Sequence, residues 1–150
     1  MRSGFICPSL IPKQSFYNNV RSSVSTKKWD RLRKDCYKAA FYKCEVCGGV
    51  GSAHPVECHE VWDFDDENKI QKLVRLISLC PACHEVVHFG LANLRGNAER
   101  AIRHMMAVNK MTREECEQII ADCFSVWRHR SQSYWVVDIS ILGQQHEQNG

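Results

Sequence analysis

Two C-x2-C pairs, Cys44/Cys47 and Cys80/Cys83, constrain this chain of 150 residues more than anything else in it. Each pair can present two thiolates from one tight turn, and zinc favours four thiolates in a tetrahedron. The glycines of K-C-E-V-C-G-G-V-G, Lys43 to Gly51, permit the turn in which backbone amides face the sulfurs. Such a site contributes folding energy directly, because its ligands meet only in the native chain. The competing reading, four reduced buried cysteines, leaves the paired spacing unexplained.

The same spacing bears on compartment. The chain has nine cysteines, and a disulfide framework would leave one over. Paired C-x2-C spacing in a reducing cytosol points to metal instead. No apolar run approaches the roughly 20 residues that a membrane helix needs, and the N-terminal residues, interrupted by Pro8 and Pro12, lack a signal-peptide core. A cytoplasmic protein with no membrane partner is expected. With 44% apolar and 25% charged residues, the chain suits a single domain with a modest core.

Charge is uneven. Residues 1–43 carry ten Lys/Arg against two Asp/Glu, and the rest carry ten against fifteen. A helix is predicted over 26–42, capped by Thr26, with Trp29, Leu32, Cys36, Ala39 and Ala40 on its apolar face. Lys27, Lys28, Arg31, Lys34 and Lys38 are its candidate contacts to a polyanion. A merely solvated basic face is the alternative.

Further on, a strand is predicted over 56–62 and a second over 73–79, where the periodicity also admits a helix; the acidic loop over 63–68 is read as solvated. A helix follows over 82–89, started by Pro81 and ended by Gly90. Helices are expected over 97–109 and 113–130, the second opening with a Thr112/Glu115 capping box. Cys116 and Cys123 fall on its apolar stripe and read as core. A last strand is expected within 134–142, and residues 144–150 read as a mobile tail.

The stretch C-P-A-C-H-E-V-V-H adds His84 and His88, four apart and so on one helical face. A zinc filled by four thiolates has no place for them, which frees them to chelate a second, open divalent ion. His84 replacing a cysteine, or His88 as a buried hydrogen-bonded residue, are the alternatives. His59, in V-E-C-H-E-V-W, sits on the first predicted strand. Its ordinary pKa near 6.5 suits a general base.

In the order C-x2-C, strand with a central His, second strand, C-x2-C-H-x3-H, residues 44–89 resemble the HNH endonucleases. The resemblance implies an α+β protein: a small zinc-stabilised ββα-metal core with flanking helices, residues 1–43 before it and 90–143 after. It implies His59 as the general base that activates water, and His84 and His88 as ligands of a catalytic Mg2+, Mn2+, Ni2+ or Zn2+. The family usually places Asp or His just before the base as a further ligand; here Cys58 stands there. Where its middle Asn would fall stands Arg75, a candidate phosphate contact.

The function expected is metal-dependent hydrolysis of DNA phosphodiesters, the protein holding DNA mostly through phosphates. The alternative is a catalytically silent zinc module on the same scaffold, binding nucleic acid or a protein. A transcription-factor-like zinc domain ranks behind both, since 82–89 offers few base-reading side chains.

Overall fold

The computed structural model describes residues 3–143. The protein is α+β, with a small three-stranded sheet and six α-helices among the described residues. Strands β1 (Glu57–Asp65) and β2 (Ile70–Leu79) form an antiparallel hairpin, and β3 (Val136–Asp138) joins β2 in parallel. Before the sheet come α1 (Val20–Ser23) and α2 (Thr26–Ala39); after β2 come α3 (Pro81–Val87), α4 (Phe89–Leu94), α5 (Ala98–Asn109) and α6 (Arg113–Arg130).

The hairpin runs further than the predicted strands. Asp63 and Asp65 lie on β1, so the acidic stretch is not one loop. Asp65 ties the turn by accepting from the backbone N–H groups of Glu67 (3.1 Å) and Asn68 (2.9 Å). Asp66 is gripped by Arg130 of α6 through Nε (2.9 Å) and Nη2 (3.0 Å). A bulge follows: Val61 opposes Arg75 and Trp62 opposes Leu73, leaving Val74 without a partner. Side chains alternate faces along a strand, so the extra residue sends odd-numbered Leu73 and Ile77 to opposite faces.

Each face therefore builds its own core. Ile77 and Leu79 pack with Val86, Val87, Met105, Cys116 and the knuckle residue Val46. Leu73 packs with Val20 and Ile139, supported by Trp29 and Leu32 of α2 and by Trp62. Of the apolar face read for α2, Trp29 and Leu32 pack here and Cys36 meets Ser78 of β2, while Ala39 is exposed. The N-cap of α2 is Ser25, whose side chain accepts from Lys28 N–H at 3.1 Å, with Thr26 already inside the helix.

Other boundaries also differ from expectation, and α2 ends at Ala39 rather than at 42. The chain breaks its helix at His88 and resumes as α4, with Gly90 inside it. Burial of Val87, Phe89 and Ala92 holds both pieces against the core, which outweighs the modest cost of a helical glycine. The final strand is short because the chain turns into a 3-10 turn at Ser140–Leu142. The expected tail at 144–150 lies outside the described residues. No helix among the described residues is long and apolar enough to cross a membrane.

Candidate metal centres

Four sulfurs converge where the knuckle meets the start of α3. The thiols of Cys44, Cys47, Cys80 and Cys83 all lie within 4.8 Å of one another, and could hold a structural metal such as zinc. Cys47 Sγ is 3.6 Å from Cys80 Sγ, close to the roughly 3.8 Å that a tetrahedron with Zn–S bonds of about 2.3 Å requires. Backbone amides face the sulfurs: Cys47 N–H to Cys44 (3.5 Å), Gly49 N–H to Cys47 (3.4 Å) and Cys83 N–H to Cys80 (3.5 Å). Hydrogen bonds from Cys80 and Cys83 pull the Cys44 thiol far down. The same bonds push Cys80 up to about 11 and Cys83 higher still. A bound soft cation would displace the remaining thiol protons, since metal-ligating cysteines are thiolates.

His104 was not anticipated. It reaches from α5 and sets Nε2 3.1 Å from Cys83 Sγ. An N–H donated to a thiolate orients that ligand and spreads its charge. The sequence carried no sign of it, because nothing local to 104 marks contact with residue 83.

A second cluster lies beside the first. His59 of β1, His84 of α3 and His88 at the helix break each offer a ring nitrogen, all within 4.8 Å of one another, and could hold a metal ion. His84 Nε2 is 3.0 Å from His88 Nε2. The His59 ring centroid stands 5.5 Å from that of His84 and 5.2 Å from that of His88. His59 is 7% exposed, and its Nε2 has no hydrogen-bond partner. A buried polar atom without a partner is costly, and invites a ligand. Burial, then the neighbouring His88 and His84, holds His59 well below the ordinary imidazole range.

Glu57 orders this cluster. One carboxylate oxygen pairs with His84 Nδ1 and the other is 2.7 Å from His54 Nε2. Burial alone would raise the Glu57 carboxyl, but its bonds to His54 and His84 outweigh that and hold it below its usual value. With Nδ1 donating to Glu57, His84 carries its lone pair on Nε2, the nitrogen that meets His88 Nε2. Glu57 stands two residues before His59 and so faces the same way; that alternation was the signal available in the sequence.

Comparison with family models, with curated proteins and with solved structures finds no match in any of the three. The remaining candidates are therefore placed by geometry alone. Cys58 is not part of the histidine cluster; its thiol meets Cys36 of α2. Arg75 gives Nη2 to Glu45 Oε1 at 2.6 Å, beside the knuckle, and shares no hydrogen bond with the histidines. Glu45 in turn accepts from Ser78 N–H at 2.7 Å. Lys28 is buried, with Nζ donating to the Leu142 carbonyl at 2.8 Å, so it is not presented to a polyanion. Lys27, Arg31, Lys34 and Lys38 share an outer groove with Asp30 and Asp35. A different cleft, of about 440 Å³, opens onto Glu57, Cys58 and His84. Its cations are Arg21 and Arg33, for which the sequence holds no local signal. Arg33 is braced by Asp30 at 3.0 Å.

Proposed function

We propose that this protein is a metal-dependent nuclease of the HNH type, hydrolysing phosphodiester bonds in DNA. The observation that carries the reading is the convergence of ring nitrogens from His59, His84 and His88, with His59 buried and its Nε2 without a hydrogen-bond partner. In this reading β1, β2 and α3 form the ββα-metal core, the four cysteines hold a structural zinc, and the histidine cluster is the reacting centre.

His84 and His88 would hold the catalytic divalent ion through Nε2. When bound, such an ion supplies Lewis-acid stabilisation of charge developing on phosphate and leaving oxygens. Glu57 fixes the orientation of His84. His59, kept unprotonated by burial, is in the form that can accept a proton from the attacking water. Arg33 and Arg21 line the adjoining cleft, where guanidinium groups suit phosphate oxygens. Lys27, Arg31, Lys34 and Lys38 extend that positive surface along α2.

The test is nicking of supercoiled plasmid by zinc-loaded protein with added magnesium, manganese or nickel. His59→Ala is expected to lose about 100-fold or more in rate. DNA affinity is expected to fall steeply between low and physiological salt, because phosphate contacts release counterions. Equal nicking by wild type and His59→Ala would remove His59 as the base.

A second reading has its own support: Cys58 is engaged by Cys36 and Arg75 by Glu45, so neither is turned to the histidines. It is a silent HNH-like module that binds nucleic acid or a protein. No nicking with any metal, together with retained salt-dependent DNA binding, would favour it.

A further inference from the structure

The nine cysteines sort into the sulfur cluster, two facing pairs, and Cys116 sealed in the core. The pairs are Cys36/Cys58 and Cys7/Cys123. Cys7 lies on an N-terminal strap and Cys123 on α6, and the two thiols neighbour each other on the wall of one cleft. Both line an open cleft of about 640 Å³ walled by Leu10, Trp62, Phe64 and Trp127. At the other pair only Cys58 lines a cleft, and Cys36 lies behind it, 3.3 Å from Ser78 Oγ.

The strap is held in place on both sides of Cys7. Asn109 of α5 clasps Ile6, accepting from its N–H at 2.7 Å and donating to its carbonyl at 2.8 Å. Ser9 N–H donates to the Val87 carbonyl at 2.9 Å, and Trp127 Nε1 donates to the Ile11 carbonyl at 2.8 Å. Cys7 is thereby fixed against Cys123 while the cleft leaves both reachable.

We propose that Cys7 and Cys123 are a dithiol site for hydroperoxides, with Cys7 attacking and Cys123 resolving. The Cys7 sulfur attacks the terminal peroxide oxygen; the O–O bond breaks, the thiol proton goes to the departing oxygen, and an alcohol leaves (water, for hydrogen peroxide). Cys7 is then a sulfenic acid. The Cys123 sulfur displaces its hydroxyl, which leaves as water with the Cys123 proton, and the S–S bond forms. Two thiols are oxidised by two electrons and one hydroperoxide is reduced. The product ties the strap to α6 across most of the chain. Contact with Cys123 is the main cause that pulls the Cys7 thiol down to about 7, against burial. Cys123 is pushed up. The thiolate is the nucleophile, and the lowered Cys7 thiol is the member proposed to attack.

The experiment treats zinc-loaded, full-length protein with one equivalent of hydrogen peroxide and maps its peptides without reduction. The expected product is a Cys7–Cys123 linked peptide, reversed by a dithiol reductant, with zinc retained. Cys123→Ser is expected to leave a Cys7 sulfenic acid that dimedone traps, and Cys7→Ser to abolish both products. In parallel, isotope-coded alkylation of the untreated wild type ranks the cysteines without any variant, and Cys7 is expected to react fastest. Linkage of Cys36 to Cys58 in preference, oxidation of the zinc thiolates before any Cys7 product, or slow alkylation of Cys7 would each overturn the proposal.

Discussion

Glu60 shows how one side chain carries a pH signature. It sits beside His59 in sequence but on the opposite face of β1, where it accepts from Val20 N–H at 2.9 Å and helps to dock α1. Burial raises its carboxyl above the ordinary range, outweighing the bond from Val20. The fold therefore binds this proton more tightly than the unfolded chain does. The stability Glu60 contributes is full below the unfolded pKa and is lost as pH rises through the folded value. Glu60→Gln keeps the acceptor without the buried charge, so it is expected to raise the melting temperature at pH 7. The gain should shrink toward acid pH. Thermal unfolding of both proteins across that range checks it, and an equal shift at every pH would refute the linkage. The position of Glu60 on a strand was readable from sequence. Its burial was not, since that depends on α1 folding back over β1.

Among the elements, α6 is the one whose start is written most plainly in its own residues. Thr112 Oγ1 accepts from Glu115 N–H, and Glu115 returns a bond to Thr112 N–H, both at 3.2 Å. Thr112→Ala is expected to cost about 1 kcal/mol, read by urea unfolding; a loss near zero would mean that tertiary packing alone holds this helix end. The capping box was legible because cap and partner are three residues apart. At α2 the same logic misplaced the cap by one, because Ser25 and Thr26 both offer a hydroxyl and only the backbone angles of Ser25 leave it outside the helix. The break at His88 was illegible for a different reason. No proline or capping residue marks it, and the core positions of Val87 and Phe89 impose it. That break also brings His88 Nε2 to His84 Nε2, so a local irregularity helps to shape the candidate site.

Taken as a chain, the protein is organised around its sulfur cluster. The cluster joins the knuckle at 44–47 to α3, and its buried members Cys44, Cys80 and Cys83 belong to the larger core. A metal held there would bind the native chain more tightly than the unfolded one, so its binding would add to folding stability. Removal by a tight chelator is expected to unfold the molecule cooperatively, followed by circular dichroism, and Cys83→Ser should do the same without chelator. An unchanged spectrum and melting temperature after verified metal loss would show that the two apolar cores suffice alone.

The sequence by itself determined the longer helices and the chemistry available to the chain, but not every element or boundary. Apolar periodicity placed α2 and α6, and the C-x2-C spacing named all four cluster cysteines, because these signals lie within a few turns of one another; at 73–79 the same periodicity left strand and helix both open. Spacing also put His84 and His88 on one side of α3. Tertiary folding decided which groups meet across the chain. It brought His59, 25 residues before His84, into one cluster with both helix histidines, and left its Nε2 without a partner. It turned Cys58 to Cys36, buried Lys28 and set Arg33 at the cleft instead. It carried His104 to Cys83 and Cys123 to Cys7. Such pairings depend on how helices pack on the two faces of a bulged sheet, and that geometry is the sum of many weak contacts with no local signature.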